Sequence, residues 1–290
     1  MKRIVTGLIF GIIAFACIIL GGFWLAGFLI LLTFMGSAEY VAFNNAKGMH
    51  PSRAFIALFG SLIFAVAIFN RYDLMIAIVS LATMAAFLTI MLRKKKATIA
   101  DTATSMLGIL YGMLLPAHLI LLRGMGHDGL KMLNYTFNPD SFLQLNTGLG
   151  YLVFVFGAIL MTDIGAYYIG CRWGKTPLAP EISPKKTVEG SIGGISFAIL
   201  MSLLIGYIIN MDILNCIFGA VVFSVAAQLG DLAESMMKRD ANTKDSSDLL
   251  PGHGGILDRA DSFIFTAPVA YYYFLYAHDI LQALSFKVIG

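Results

Sequence analysis

Four carboxylates in the stretch 228–261 have a spacing that suits metal chemistry. Asp231 and Glu234 are three residues apart, so on a helix they share one face, and Asp258 and Asp261 repeat that spacing. If the two pairs converge, their hard oxygen atoms suit Mg²⁺, which keeps water and substrate oxygens in its coordination shell. The spacing therefore predicts a divalent-metal site that acts on phosphate groups.

Cations and a glycine-rich turn separate the two carboxylate pairs. The segment 251–255, Pro-Gly-His-Gly-Gly, allows close backbone approach to a ligand, because glycine lacks a Cβ atom. His253 is a conceivable metal ligand, but a lone histidine is more often a hydrogen-bonding or substrate-contacting group. The rival interpretation, a solvated loop of mixed charge, requires no such turn between carboxylates. The cations that could neutralise the phosphates of a nucleotide are Lys238, Arg239, Lys244 and Arg259.

A second polar stretch covers residues 163–190. Asp163 lies about two turns inside an apolar segment, where a carboxylate is costly unless it faces a water-filled cavity, a metal or a basic partner. Lys185 and Lys186 precede a glycine-rich helix start at 190–194, whose free N–H groups are suited to bind phosphate. The alternatives are a helix-end carboxylate that reaches water, and lysines that only mark a membrane boundary.

The elements that position these residues must lie in a membrane. The chain has 290 residues, of which 58% are hydrophobic and 13% charged, and its mean hydropathy is +0.80. A single soluble core stops growing near this length, so the bilayer is the natural solvent for so much apolar surface. The three cysteines have no paired spacing, which excludes a disulfide framework and a zinc signature.

The apolar segments predict an all-α, polytopic membrane protein with about nine transmembrane helices. A span needs about 20 predominantly apolar residues. We expect one integral membrane domain over 1–290, with N-terminal helices in 1–147 and a catalytic half in 148–290 that contains loops 172–190 and 233–260. Glu39 lies in the second span, far from both loops, and we expect it to make a structural hydrogen bond. The predicted spans are 4–20, 22–43, 54–70, 72–92, 101–122, 148–171, 191–209, 212–232 and 261–284.

The distribution of basic residues predicts the orientation. Nine spans place 16 of the 20 Lys and Arg residues on the side of the N-terminus, including the cluster Arg93–Lys96. Cytoplasmic loops carry the positive excess, so both catalytic loops and the N-terminus are expected in the cytoplasm. The segment 124–147 is then the longest external loop.

The stretch 228–261 contains three distinctive runs: Ser235-Met236-Met237-Lys238-Arg239, Lys244-Asp245-Ser246-Ser247 and Leu250-Pro251-Gly252-His253-Gly254-Gly255-Ile256-Leu257-Asp258-Arg259-Ala260-Asp261. Together these runs resemble the signature of the phosphatidate cytidylyltransferase family. The resemblance is long and specific over about 160–262, whereas the N-terminal half matches only in length and hydropathy. Ala260 departs from the pattern, because the family usually has a larger apolar residue or threonine there. The upstream run Ile182-Ser183-Pro184-Lys185-Lys186-Thr187-Val188-Glu189-Gly190 resembles the family's second patch.

The resemblance implies a homodimeric enzyme of the bacterial inner membrane that uses Mg²⁺. It is also compatible with a second, monovalent cation such as K⁺. Its substrates would be CTP and phosphatidic acid, with membrane lipids as surroundings and no nucleic-acid partner. The implied metal ligands are Asp231, Asp258 and Asp261. The implied catalytic residues are Asp231, Asp258, Lys238, Lys244 and Asp261. The implied substrate-binding residues are Asp163, Ser183, Lys185, Lys186, Glu189, Ser235, Arg239, Asp245, His253, Gly254, Gly255 and Arg259.

The expected reaction is attack of the lipid phosphate on the α-phosphorus of CTP, with pyrophosphate as the leaving group. Two rivals stay open at this point. A CTP-dependent polyprenol or lipid kinase would transfer the γ-phosphate and release CDP. A cation-coupled transporter would use the intramembrane carboxylate Asp163, but it would require no His-Gly-Gly turn.

Overall fold

The structure, a computed structural model, describes residues 2–92, 98–126, 147–243, 246–247 and 254–288. Helices dominate it, and one antiparallel hairpin of two short strands lies between two of them. The helices are α1 (Lys2–Leu20), α2 (Gly22–Ala46), α3 (Arg53–Ile68), α4 (Tyr72–Leu92), α5 (Ile99–Ile109), α6 (Leu115–Arg123), α7 (Thr147–Trp173), α8 (Val188–Ile208), α9 (Ile213–Asp240) and α10 (Leu257–Val288). The strands are β1 (Pro177–Ala179) and β2 (Ser183–Thr187), and a π-helical turn, Leu110–Leu114, joins α5 to α6.

Each of the nine predicted spans coincides with helix, so the prediction of a helical membrane protein is confirmed at that level. The fifth predicted span is the continuous run of α5, the π-helical turn and α6. The count of nine and the orientation stay predictions, and the cluster Arg93–Lys96 and residues 127–146 lie outside the described residues. Within the part of the chain that the structure describes, the segments long and apolar enough to span a membrane are Gly22–Ala46, Tyr72–Thr89, Ile99–Arg123, Gly148–Trp173, Val188–Ile208 and Ile213–Asp240.

Helix and strand extend into both predicted loops. In loop 172–190, Pro177 pairs with Thr187 and Ala179 with Ser183, so the loop is largely a hairpin. In loop 233–260, α9 continues to Asp240, which makes Lys238 and Arg239 helical residues. The predicted span ends near 232 whereas the helix continues to Asp240, because hydropathy marks where the membrane ends and not where the helix does.

Local side chains account for several helix starts. Thr187 caps α8 by accepting a hydrogen bond from the Gly190 N–H at 3.1 Å, and Asp212 caps α9 by accepting from the Leu214 N–H at 3.0 Å. Each such cap stabilises a helix by about 1 kcal/mol, because it satisfies an N–H that has no partner within the helix. Because Thr187 is also the last residue of β2, the hairpin leads directly into α8.

Glycines let α7 and α8 pack at near backbone contact. A Cβ atom at Gly165 would lie 2.7 Å from the Gly193 carbonyl oxygen, and one at Gly194 would lie 2.8 Å from the Thr162 carbonyl oxygen. Small residues at such interfaces are how membrane helices gain packing energy, since lipid tails supply no hydrophobic drive between them. This packing keeps Asp163, on α7, close to the start of α8.

Candidate active site

Asp258 is the most densely hydrogen-bonded carboxylate of the motif. Its Oδ1 accepts from Lys238 Nζ at 2.6 Å, and its Oδ2 accepts from the Ser246 N–H, the Ser246 hydroxyl and the Gly255 N–H at 2.9, 2.7 and 2.7 Å. Burial by itself raises the pKa of Asp258, but these hydrogen bonds outweigh burial and hold the pKa below its ordinary range. Asp258 is therefore an ionised anchor for the loop that precedes α10.

Lys238 links Asp258 to a fully buried second carboxylate. Its Nζ lies 2.5 Å from Glu234 Oε2, one turn earlier on α9, and Glu234 is 0% exposed. A buried charge of this kind persists only when it is paired, and removing one partner leaves the other uncompensated. We call Glu234, Lys238, Ser246 and Asp258 the Asp258 cluster.

A second group of carboxylates includes Asp231, one turn before Glu234 on α9, and Asp261, one turn after Asp258 on α10. Lys186 Nζ lies 2.5 Å from Asp231 Oδ2. Asp163, Asp231 and Asp261 interact electrostatically with one another and with Lys186. We call these three carboxylates the acidic trio.

Gly230 is the reason that α9 and α10 can bring two members of the trio side by side. A Cβ atom at Gly230 would collide with the Asp261 carbonyl oxygen and would lie 3.1 Å from Cβ of Phe265. The helix backbones therefore nearly touch at this level, and Asp231 follows Gly230 directly. The sequence offers only one signal for this contact, a glycine at the end of an apolar run.

The predicted ligand set for a metal draws on both groups. Asp231 and Asp261 belong to the acidic trio, whereas both oxygens of Asp258 accept hydrogen bonds from protein donors. Among the described residues, no group of three or more His, Cys, Asp and Glu side chains is close enough together to hold a metal ion. The donor chemistry fits a hard cation at the trio better than at Asp258, because three carboxylates there face one lysine.

Glu39 makes the structural hydrogen bonds expected of it, and its partners are residues of the motif. Its carboxylate accepts from the Ile256 and Leu257 N–H groups, each at 2.9 Å, and from the hydroxyls of Ser246 and Ser247 at 2.9 and 2.5 Å. A carboxylate at these N–H groups also interacts favourably with the positive end of the α10 dipole. The spacing of residues in the sequence does not predict this contact, which joins residues more than 200 positions apart.

Steric contacts and backbone conformation explain why glycine occupies both positions after histidine in the His-Gly-Gly turn. A Cβ atom at Gly255 would collide with the Ser246 hydroxyl and lie 2.5 Å from Glu39 Oε1. Gly254 has a φ of +79°, which L side chains rarely adopt. The turn is thus packed tightly against the Asp258 cluster.

The hairpin residues have separate partners. Glu189 accepts hydrogen bonds from the backbone N–H groups of Lys175 and Thr176, at 3.0 and 3.1 Å, so it fastens the two ends of the hairpin. Lys186 is directed to Asp231, while Lys185 is exposed and Ser183 is half-buried. Arg239 Nε donates to the Ile182 carbonyl at 3.4 Å and so joins α9 to the hairpin.

The glycine-rich start of α8 has a different role from the one its composition suggested. Gly190, Gly193 and Gly194 are buried, and their positions serve the contact with α7. The Gly190 N–H is already bonded to the Thr187 side chain. Phosphate binding by Lys185 and Lys186 therefore stays a prediction that rests on the lysines themselves.

The remaining predicted residues divide by position. Ser235 is half-buried on α9, and Arg259 is exposed in the first turn of α10. Lys244, Asp245 and His253 lie outside the described residues.

The chain is similar in sequence to known proteins of one family. Residues 1–277 match the model of the cytidylyltransferase family. A phosphatidate cytidylyltransferase of Synechocystis sp. is 37% identical over 98% of this chain and 99% of its own length. Phosphatidate cytidylyltransferase 4, chloroplastic, of Arabidopsis thaliana is 34% identical over 93% of this chain and 72% of its own. The phosphatidate cytidylyltransferase of Bacillus subtilis is 46% identical over 43% of this chain and 47% of its own length. This chain belongs to the cytidylyltransferase family.

Proposed function

We propose that this chain is a phosphatidate cytidylyltransferase, a nucleotidyltransferase that converts CTP and phosphatidic acid into CDP-diacylglycerol and pyrophosphate for phospholipid biosynthesis. The observation that carries the proposal is the alignment, across nearly the whole chain, with a protein of that name. The site supports it, because the charged residues of the motif meet in two adjacent groups, the Asp258 cluster and the acidic trio.

The chemistry requires positioning and charge neutralisation more than covalent participation by the protein. A phosphate oxygen of the lipid forms a bond to the α-phosphorus of CTP, and the bond from that phosphorus to the β-phosphate bridging oxygen breaks. Lys186 and Lys238 bring positive charge to the place where two anionic substrates meet. Exposed Lys185 and Arg259 extend that charge toward the solvent.

Mg²⁺ is the cofactor that we propose, with a second, monovalent cation such as K⁺. Asp231 and Asp261 would hold Mg²⁺, with Asp163 nearby, since carboxylate oxygens are its preferred ligands. When bound, the metal supplies neutralisation of phosphate charge. Asp258 would act mainly by positioning Lys238 and the loop before α10, with which it forms hydrogen bonds.

We infer nine spans with a cytoplasmic N-terminus, in the inner membrane of a bacterium. The helix ends near the site support this topology. They are the C-terminal ends of α2, α7 and α9 and the N-terminal ends of α8 and α10. Strict alternation across nine spans puts all five ends on one side. CTP can then arrive from the cytoplasm and the lipid from the adjacent leaflet. A homodimer is the assembly that we propose.

The proposal is tested with purified protein, phosphatidic acid, Mg²⁺ and CTP labelled in turn at the α- and γ-phosphates. We expect the α label in the lipid product and the γ label in released pyrophosphate. Transfer of the γ label to lipid would instead identify a lipid kinase. Absence of lipid labelling from either, in protein shown to be folded, would contradict the proposal.

A further inference from the structure

Tyr111 carries a buried hydroxyl that lacks a hydrogen-bond partner among the described residues. The residue is 6% exposed, and no described donor or acceptor is placed to bond with its hydroxyl oxygen. Leaving a buried hydroxyl unpaired costs about 1–3 kcal/mol, so native structures rarely tolerate one without a reason.

The hydroxyl lies within electrostatic range of the candidate active site. Tyr111 interacts electrostatically with Asp261, Glu234 and Asp231, which belong to the acidic trio and the Asp258 cluster. Its ring packs edge-on against Phe265, one turn beyond Asp261 on α10, with ring centroids 6.3 Å apart. The ring therefore packs against an apolar side chain, while the hydroxyl lies near the carboxylates without a hydrogen-bond partner among the described residues.

An irregularity in the backbone presents this side chain. Leu110–Leu114 form a π-helical turn, and Pro116 follows it near the start of α6. Proline lacks the N–H that would bond to Gly112 in a regular helix, so the hydrogen-bond ladder is interrupted there. Such π-helical turns are rare and are frequently found at functional sites. Here the turn lies in the N-terminal half, outside the motif.

We propose that Tyr111 is a substrate-contacting residue whose hydroxyl donates a hydrogen bond to a phosphate oxygen bound at the acidic trio. A neutral donor suits this place, because it stabilises a phosphate without cancelling the negative charge that retains a metal cation. The inference rests on the proposed function, since it assigns a phosphate of the two substrates to this site.

The test is Tyr111→Phe, which removes the hydroxyl and keeps the ring. The matched control is Tyr273→Phe, because the Tyr273 hydroxyl donates to the Asn215 carbonyl at 3.0 Å, far along α10 from the site. Purified wild type and both variants are compared in cytidylyl transfer from CTP to phosphatidic acid and in thermal unfolding. Loss of a hydrogen bond to a charged group predicts a fall in kcat of about tenfold or more for Tyr111→Phe, with Tm unchanged or raised.

The control should show the opposite pattern, with full activity and a lowered Tm. A lowered Tm for Tyr111→Phe, as large as that of Tyr273→Phe, would show that the hydroxyl is bonded within the protein and would overturn the inference. Wild-type activity in Tyr111→Phe would overturn it as well. An inactive but folded wild type would instead count against the proposed function, so the two failures are distinguishable.

Discussion

Asp258 and Asp261 lie one turn apart on α10, yet their side chains have different partners. Asp258 meets Lys238 and the loop N–H groups, whereas Asp261 lies near Asp231 and Asp163. The reason is that α9 runs antiparallel to α10, so residues further along α10 meet residues earlier in α9. At the residue scale, the carboxylates therefore have distinct surroundings, which their identical spacing does not reveal.

Asp258→Asn should reduce cytidylyl transfer by about a hundredfold or more. The amide cannot neutralise Lys238, and its NH₂ group would face the loop N–H donors that Asp258 now accepts from. Steady-state assays measure the effect. Asp240→Asn is the matched control, because its carboxylate pairs with Lys47 at the exposed surface, where an ion pair contributes little. Activity within about twofold of wild type in Asp258→Asn would contradict the assigned role.

Glu39→Gln should destabilise the loop before α10 by about 1–3 kcal/mol. Glutamine keeps one acceptor oxygen and turns an NH₂ group toward donors that need an acceptor. Thermal unfolding in detergent and limited proteolysis within 241–256 report the change. Glu181→Gln, at the exposed hairpin turn, serves as the control. Equal Tm and equal protease resistance in both variants would show that Glu39 does not hold the loop.

At the scale of elements, close helix contacts determine where the chemistry is placed. Gly230 allows α9 to approach α10, and glycines on α8 allow it to approach α7. These contacts bring Asp163, Asp231 and Asp261 into one electrostatic group although they come from three helices. The hairpin adds Lys186 to that group from outside the helix bundle.

Gly230→Ala should lower kcat by about tenfold or more, because the added Cβ atom must push α10 away and so separate Asp261 from Asp231. Gly27→Ala is the control, since a Cβ atom there meets no atom within 4 Å. Expression and Tm of both proteins are measured beside activity. Full activity in a folded Gly230→Ala protein would show that the close approach is dispensable.

At the scale of the whole molecule, the proposed nine-span topology would place the site at one boundary of the bilayer. Five helix ends converge on the Asp258 cluster, the acidic trio and Glu39. A site at a boundary can bind a nucleotide from water and a lipid from the leaflet, which the proposed reaction requires.

Cysteine accessibility tests this topology in a background without the native cysteines. Nine spans with a cytoplasmic N-terminus put Arg71, between α3 and α4, outside and Lys185, in the hairpin, inside. In intact cells, an impermeant maleimide should label Arg71→Cys and leave Lys185→Cys unlabelled until the membrane is permeabilised. Labelling of Lys185→Cys in intact cells would contradict the orientation.

The sequence by itself determined the class of protein, the approximate positions of its helices and the motif that we propose carries the chemistry. Hydropathy is a local property, and a run of about 20 apolar residues has few stable states other than a membrane helix. It could not locate the end of α9, because a helix continues beyond the bilayer wherever charged residues find partners, as Lys238 does.

Only the tertiary structure decided how the charged residues divide into two groups, how Glu39 reaches the motif and how Tyr111 comes near the carboxylates of the site. These contacts join residues that are distant in sequence, and helix packing selects them. Their distances depend on where glycines let backbones approach and where a proline interrupts a helix, as at Gly230 and Pro116. Residue types and their spacing do not predict these distances, because the packing partner of each helix face depends on how all the helices of the bundle pack together.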